Sequence, residues 1–168
     1  TNLVTLIPIF PFIGFLILGL FGNKLSKSTS GIIASGMVFI SFAISVFLFV
    51  QLLILPQENR TFTYVLLDWI MAGNFSVSFS FLLDPLSSLF LLIITGVGFL
   101  IHVYSTGYMY DDENHNKFFS YLNLFVFFML LLVLGSNYLL MFVGWEGVGL
   151  CSYLLIGFWF KNNNYNNA

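Results

Sequence analysis

Charge is what this sequence has least of. Only 7% of its 168 residues are Asp, Glu, Lys or Arg, against about 25% in an average soluble domain, and its mean hydropathy is +0.97. That balance excludes a soluble enzyme and describes a chain dissolved in lipid. Basic residues number five and are scattered, so no patch exists to hold a nucleic-acid backbone, and no nucleic-acid partner is expected. Cysteine occurs once, as Cys151 inside an apolar run, which excludes a disulfide framework, a CxxC pair and a ligand set for zinc or an iron–sulfur cluster. No metal site and no cofactor site are expected on this chain. No basic stretch precedes the first hydrophobic run at Leu3 and no small-residue cleavage site follows it. That run therefore reads as a mature transmembrane helix, not a removable signal.

What the sequence has is long apolar runs. Crossing a hydrocarbon core about 30 Å thick takes about 20 residues, and five runs approach or exceed that length, at 3–22, 32–55, 86–104, 118–134 and 138–160. Runs this long argue against a β-barrel. The expected fold is an all-α polytopic membrane protein, with residues 1–168 as a single membrane domain. "GNKLSKSTSG" divides the first two spans and "YDDENHNK" the third from the fourth, whereas "GSN" at 135–137 leaves room only for a tight antiparallel hairpin of helices four and five.

Between the second and third spans the pattern changes. "NFSVSFSF" at 74–81 alternates apolar residues with serine, the period of a strand with one buried face. With "TFTYVLLDWI" and the turn-like "MAGN" before it, the segment predicts a small external β-hairpin. Two N-x-S/T sequons, at Asn59 and Asn74, fall in the same segment, a pattern common by chance. Asp84 then serves as an N-cap and Pro85 as the first helical residue of span three. Lys24, Lys27, Lys117 and Lys161 fall on one side of the membrane and Arg60 on the other. This asymmetry puts the N-terminus and the hairpin outside and the tail "KNNNYNNA" on the cytoplasmic or matrix side.

Within this apolar frame the carboxylate of Glu146, in "GWEGVGLCSYLLIGFWF" (144–160), stands out. It falls nine residues into a span, about 12 Å from the outer end at 1.5 Å per residue. A charge at a helix centre costs about 2.5–3.5 kcal/mol to insert, so such groups face a protein interior or water and carry protons or ions, or else act as neutral hydrogen-bonded glue. Gly149, Leu150, Tyr153 and Gly157 share its side of the helix. That face is small enough for another helix to approach, and Tyr153 could hydrogen-bond the carboxyl group. His102, near the inner end of span three, could pass protons or could simply satisfy an interhelical hydrogen bond. Asp84 reads as a cap, Asp68 as a surface residue of the hairpin, and Asp111, Asp112, Glu113 and His115 as a solvated acidic loop. Of the tryptophans, Trp159 reads as an interfacial anchor.

The stretch "NLFVFFMLLLVLGSNYLLMFVGWEGVGLCSYLLIGFWF" (123–160), with "TGVGFLIHVYSTGYM" (95–109) and "DPLS" (84–87), closely resembles the N-terminal part of the NADH-quinone oxidoreductase subunit L family, which includes mitochondrial NADH-ubiquinone oxidoreductase chain five. The resemblance covers essentially the whole chain. It implies an antiporter-like subunit in the membrane arm of respiratory complex I, in a bacterial plasma membrane or the mitochondrial inner membrane. Its partners would be other membrane subunits and the C-terminal part of the same subunit. NADH, flavin, iron–sulfur clusters and quinone would be handled elsewhere in the complex. In that family the glutamate matching Glu146 works with a lysine on a later helix. Here none of the five Lys and Arg residues lies within a span, so the resemblance implies that this polypeptide alone does not pump, whether it comes from a split gene, a truncation or a longer chain. Mrp-type and membrane-hydrogenase cation antiporters carry a similar glutamate and give the alternative reading. A structural fragment that moves no ions is a third.

Overall fold

In the computed structural model the described residues are 3–73 and 75–159. Five helices are long and apolar enough to cross a membrane. They are α1 (Leu3–Phe21), α2 (Lys27–Ile54), α3 (Pro85–Tyr108), α4 (His115–Leu134) and α5 (Tyr138–Ile156), with an antiparallel hairpin of β1 (Phe62–Ala72) and β2 (Phe75–Leu83) between α2 and α3. The side chains these helices leave exposed are largely apolar, among them Leu20, Ile32, Ile54 and Leu100. Such an exterior suits lipid, and the chain is an integral membrane protein.

Helix ends follow local chemistry more than the limits of the apolar runs. Ser26 caps α2 by accepting a hydrogen bond from the Thr29 amide at 3.2 Å, so the helix begins at Lys27, five residues before its apolar run. α3 opens with a full capping box: the Ser87 amide donates to Asp84 Oδ1 at 2.6 Å, and the Asp84 amide donates to Ser87 Oγ at 2.8 Å. These reciprocal bonds satisfy orphan donors of the first turn. α3 and α4 each run three or four residues further into polar sequence than apolar length suggested, whereas α5 ends at Ile156, where the Gly157 amide bonds Tyr153 O. Residue 160, Lys161 and the tail lie outside the described residues.

α1 packs on α2 and α4, α2 also on α3, and α3 more lightly on α4; α5 packs chiefly on α4. Two apolar clusters fill the bundle. The larger, around Val38, Leu91, Val126 and Leu130, extends to Phe81 and Leu83 at the hairpin end. The smaller, around Leu18, Ala34 and Phe119, lies toward the end that carries Lys24, Lys27 and Lys117. Polar groups tie helices together there: Asn116 Nδ2 donates to Gly22 O at 2.5 Å, and Lys27 Nζ donates to Tyr110 O at 2.9 Å.

The hairpin is longer than alternation alone predicts, because Met71 and Ala72 pair as strand residues with Ser76 and Phe75. Gly73 has φ +59°, a left-handed conformation that glycine adopts at no steric cost. Asn74, with its sequon, lies outside the described residues. Only the second strand has a buried stretch, at Ser80, Phe81 and Leu83; β1 is mostly exposed, and two register shifts break its alternation. β2 is fastened to the α4–α5 connection. Ser136 N donates to Ser80 O at 3.1 Å, Asn137 Nδ2 donates to Ser78 O at 2.8 Å, and the Ser80 and Ser136 hydroxyls meet at 2.5 Å.

Candidate functional site

α5 has two unlike faces. One carries Gly144 and Gly147, buried against α4. A Cβ on Gly144 would stand 2.5 Å from the backbone nitrogen of Leu132, and one on Gly147 would run into the Phe128 ring. These absent side chains let two antiparallel helices approach at backbone distance. The glycines that bring a helix close are therefore not the ones on the carboxylate's side.

The opposite face carries Glu146. Its side chain is exposed and makes no hydrogen bond or ion pair among the described residues. Trp145, Leu150 and Tyr153 are also open, Tyr153 at 75% exposure, and nothing lies within 4 Å of a Cβ built on Gly149. Beside this face is a hollow of about 310 Å³ lined by Leu132, Trp145, Val148 and Gly149. Glu146 and Tyr153 do share a side of the helix, as the spacing predicts, but no hydrogen bond joins them. They stand two turns apart, about 10 Å along the axis. The side they share faces away from α4.

His102 is elsewhere. It is fully buried inside the α1–α4 bundle, with its ring 6.2 Å from that of Phe119. Its Nδ1 bonds the carbonyl of Gly98, one turn back on its own helix, at 2.7 Å. Among the described residues its hydrogen bond therefore stays within α3 and is not the interhelical one that is one of its two readings. Gly144 and Gly147 set α5 against Leu132 and Phe128 of α4. Glu146 is therefore level with the C-terminal half of α4, whereas His102 meets Phe119, in its N-terminal half. The structure does not bring Glu146 and His102 together.

The acidic loop is more than a solvated connection. Asp112 accepts from the Asn114 amide at 2.7 Å and from the Trp159 indole at 2.7 Å, which ties the loop to the turn after α5. His115 belongs to α4 and is buried, its ring 4.8 Å from that of Phe119. Its place beside a polar run hid this in the sequence; the aromatic four residues on was the available signal. Asp68 is exposed on β1, as read. Among the described residues no three His, Cys, Asp or Glu side chains cluster so as to hold a metal ion.

Comparison with known proteins gives this arrangement its context. Residues 69–119 match the family model described as NADH-Ubiquinone oxidoreductase (complex I), chain 5 N-terminus. Residues 135–168 match NADH:quinone oxidoreductase/Mrp antiporter, TM. The chain is 43% identical to NADH-quinone oxidoreductase subunit L of Pseudomonas aeruginosa over 167 residues, which is 99% of this chain and 27% of that protein. It is 42% identical to the subunit L of Escherichia coli over 161 residues, or 96% of this chain and 26% of that one. Among solved structures, a chain of the Mrp complex from Dietzia sp. DQ12-45-1b superposes with a TM-score of 0.72 at 25% identity, covering 91% of this chain and 16% of that one. The resemblance to subunit L holds over nearly the whole chain. The chain spans about a quarter of the length of the curated relatives it matches.

Proposed function

We propose that this chain is part of the proton-translocating membrane arm of an NADH:quinone oxidoreductase, and that Glu146 is a proton-carrying group on its path. One observation carries the reading: an ionisable side chain lies unpaired on the open face of a transmembrane helix whose other face is closed by glycine-mediated packing. Left in lipid, that carboxyl group would cost about 2.5–3.5 kcal/mol as a charge. A protein surface or water must cover it in the working assembly. The resemblance supplies the candidate cover, a lysine on a later helix of a longer chain.

The chemistry follows from two opposed effects. Desolvation favours the protonated, neutral carboxyl group; a nearby ammonium favours the carboxylate. In the proposed cycle the proton is taken up and given back at Glu146 as that ammonium withdraws and returns. Because the group has no competing partner among the described residues, its protonation is free to follow that one cation. Oxidation of NADH, electron transfer through flavin and iron–sulfur clusters, and quinone reduction fall to other parts of the complex. Tyr153 lies on the same open face and is exposed there, which leaves it available to support the path. His102 does not share the site.

A second reading, a subunit of an Mrp-type cation/proton antiporter, is supported by the likeness to the Dietzia chain. Purification of the native assembly separates the two. NADH-oxidising subunits that copurify with the chain support the complex I reading, and an assembly lacking them supports the antiporter.

A further inference from the structure

We propose that His102 binds a buried water, admitted from the lysine end through a groove between α2 and α3. The hydrogen bond to Gly98 fixes the tautomer of the ring. A carbonyl only accepts, so Nδ1 of His102 carries the proton, and in a neutral ring Nε2 is then a bare acceptor. That atom is buried and has no hydrogen-bond partner among the described residues.

It is not alone. Positions on three helices share one level, since a Cβ on Gly98 would meet Val38 of α2 at 3.8 Å and Val126 of α4 at 3.7 Å. His102 lies four residues from Gly98 toward the lysine end, Ser35 three from Val38, and Asn123 three from Val126. At 1.5 Å per residue these steps are about 4.5–6 Å, all in the same direction. The three residues therefore stand within about one turn of the same level, His102 beside Phe119 of α4 and Asn123 Oδ1 toward Gly14 of α1. Among the described residues Ser35 Oγ and Asn123 Oδ1 are also buried without partners, as is Ser30 Oγ further toward the lysine end. Asn123 Nδ2 already donates to Phe119 O at 3.1 Å. Two of these atoms, His102 Nε2 and Asn123 Oδ1, can only accept, so each calls for a donor. Water donates twice and accepts twice, and buried waters serve such groups routinely.

The structure also shows an approach. A cavity of about 550 Å³ between α2 and α3 is lined by Lys27, Ser28, Thr106 and Tyr110 near the lysine end, and it reaches Ser35 and Val103, the neighbour of His102. At about 30 Å³ per molecule it has room for a chain of waters. The crevice on the other side of His102 is different. Its volume is about 220 Å³, and apart from His102 its lining, which includes Val97, Leu122, Phe125 and Met129, is apolar or glycine. Hydrocarbon, not water, suits it. Ser35 thus lines a groove whose polar groups gather at its lysine end, and water enters past it toward His102. This inference does not depend on the role given to Glu146.

The direct test is a density map of the native membrane assembly, at a resolution that shows ordered water. A solvent peak about 2.7–3.2 Å from His102 Nε2 is expected. Its absence, or a protein group bonded directly to Nε2, would overturn the proposal. A chemical test uses the same assembly with Cys151→Ala as background. A cysteine thiolate, which forms where water reaches, attacks the sulfenyl sulfur of a small charged methanethiosulfonate to give a mixed disulfide and release methanesulfinate. Ser35→Cys should react at least tenfold faster than Leu122→Cys in the apolar crevice, and equal rates would contradict the proposed route.

Discussion

Ser41 on α2 donates a 2.7 Å hydrogen bond to the carbonyl of Ile7 on α1. The bond has a cause four residues further along α1. Pro11 lies inside that helix and has no amide hydrogen, so the Ile7 carbonyl loses its helical donor. Ser41 supplies the missing donor from the neighbouring helix, turning a local defect into an interhelical tie.

Replacing Ser41 with alanine should therefore cost about 0.6–1.7 kcal/mol, the range of interhelical hydrogen bonds measured in membranes. Combining it with Pro11→Ala should recover most of that loss, because the helix then satisfies Ile7 itself. Thermal unfolding of the purified assembly for both single variants and the double variant measures the coupling. Additive losses would count against this link.

Gly144→Ala should cost about 1–3 kcal/mol, the usual range for overpacking, because the added carbon would stand 2.5 Å from backbone at Leu132, which cannot swing aside. Gly36→Ala is the matched control, since nothing lies within 4 Å of its Cβ position. It should leave stability unchanged or raise it by up to about 1 kcal/mol through helix propensity. Detergent-resistant folding at increasing temperature reads both.

Asp84→Ala should weaken the start of α3 by about 1 kcal/mol, whereas Asp84→Asn, which also caps, should cost little. If Asp84 is a cap and carries no protons, the Asn variant also retains full transport. Loss of transport in a folded Asn variant would give Asp84 a second role.

Asn137 does two jobs: its Oδ1 accepts from the Leu140 amide at 3.0 Å to cap α5, and its Nδ2 holds Ser78 O of β2. Asn137→Asp keeps the cap and removes the donor. It should loosen the hairpin selectively, seen as faster proteolysis between β1 and β2 with α5 intact, while Asn137→Ala should also destabilise α5 by about 1 kcal/mol.

The helices were legible because each is a long apolar run, and the start of α3 because aspartate and proline sit where a helix needs them. The tight α4–α5 pairing was legible in the three residues "GSN". Helix ends were less so, since Lys27 and His115 extend helices through polar sequence that apolar length does not register. The environment of Glu146 was half legible. Its companions on one side of α5 follow from helical spacing, but which side meets α4 depends on Gly144 and Gly147 fitting Leu132 and Phe128, a tertiary match. His102 shows the same limit: its depth could be counted along the helix, while its bond to Gly98 and its distance from Glu146 depend on how five helices assemble.

The central claim is that Glu146 carries protons on the open face of α5, and the measurement that tests it most directly is the number of protons pumped per NADH oxidised by the assembled complex carrying Glu146→Gln. The amide keeps the shape and cannot ionise. With the complex assembled and NADH oxidation persisting, a clear fall in that ratio is the predicted result. An unchanged ratio in a fully assembled complex would contradict the account and leave α5 a structural helix.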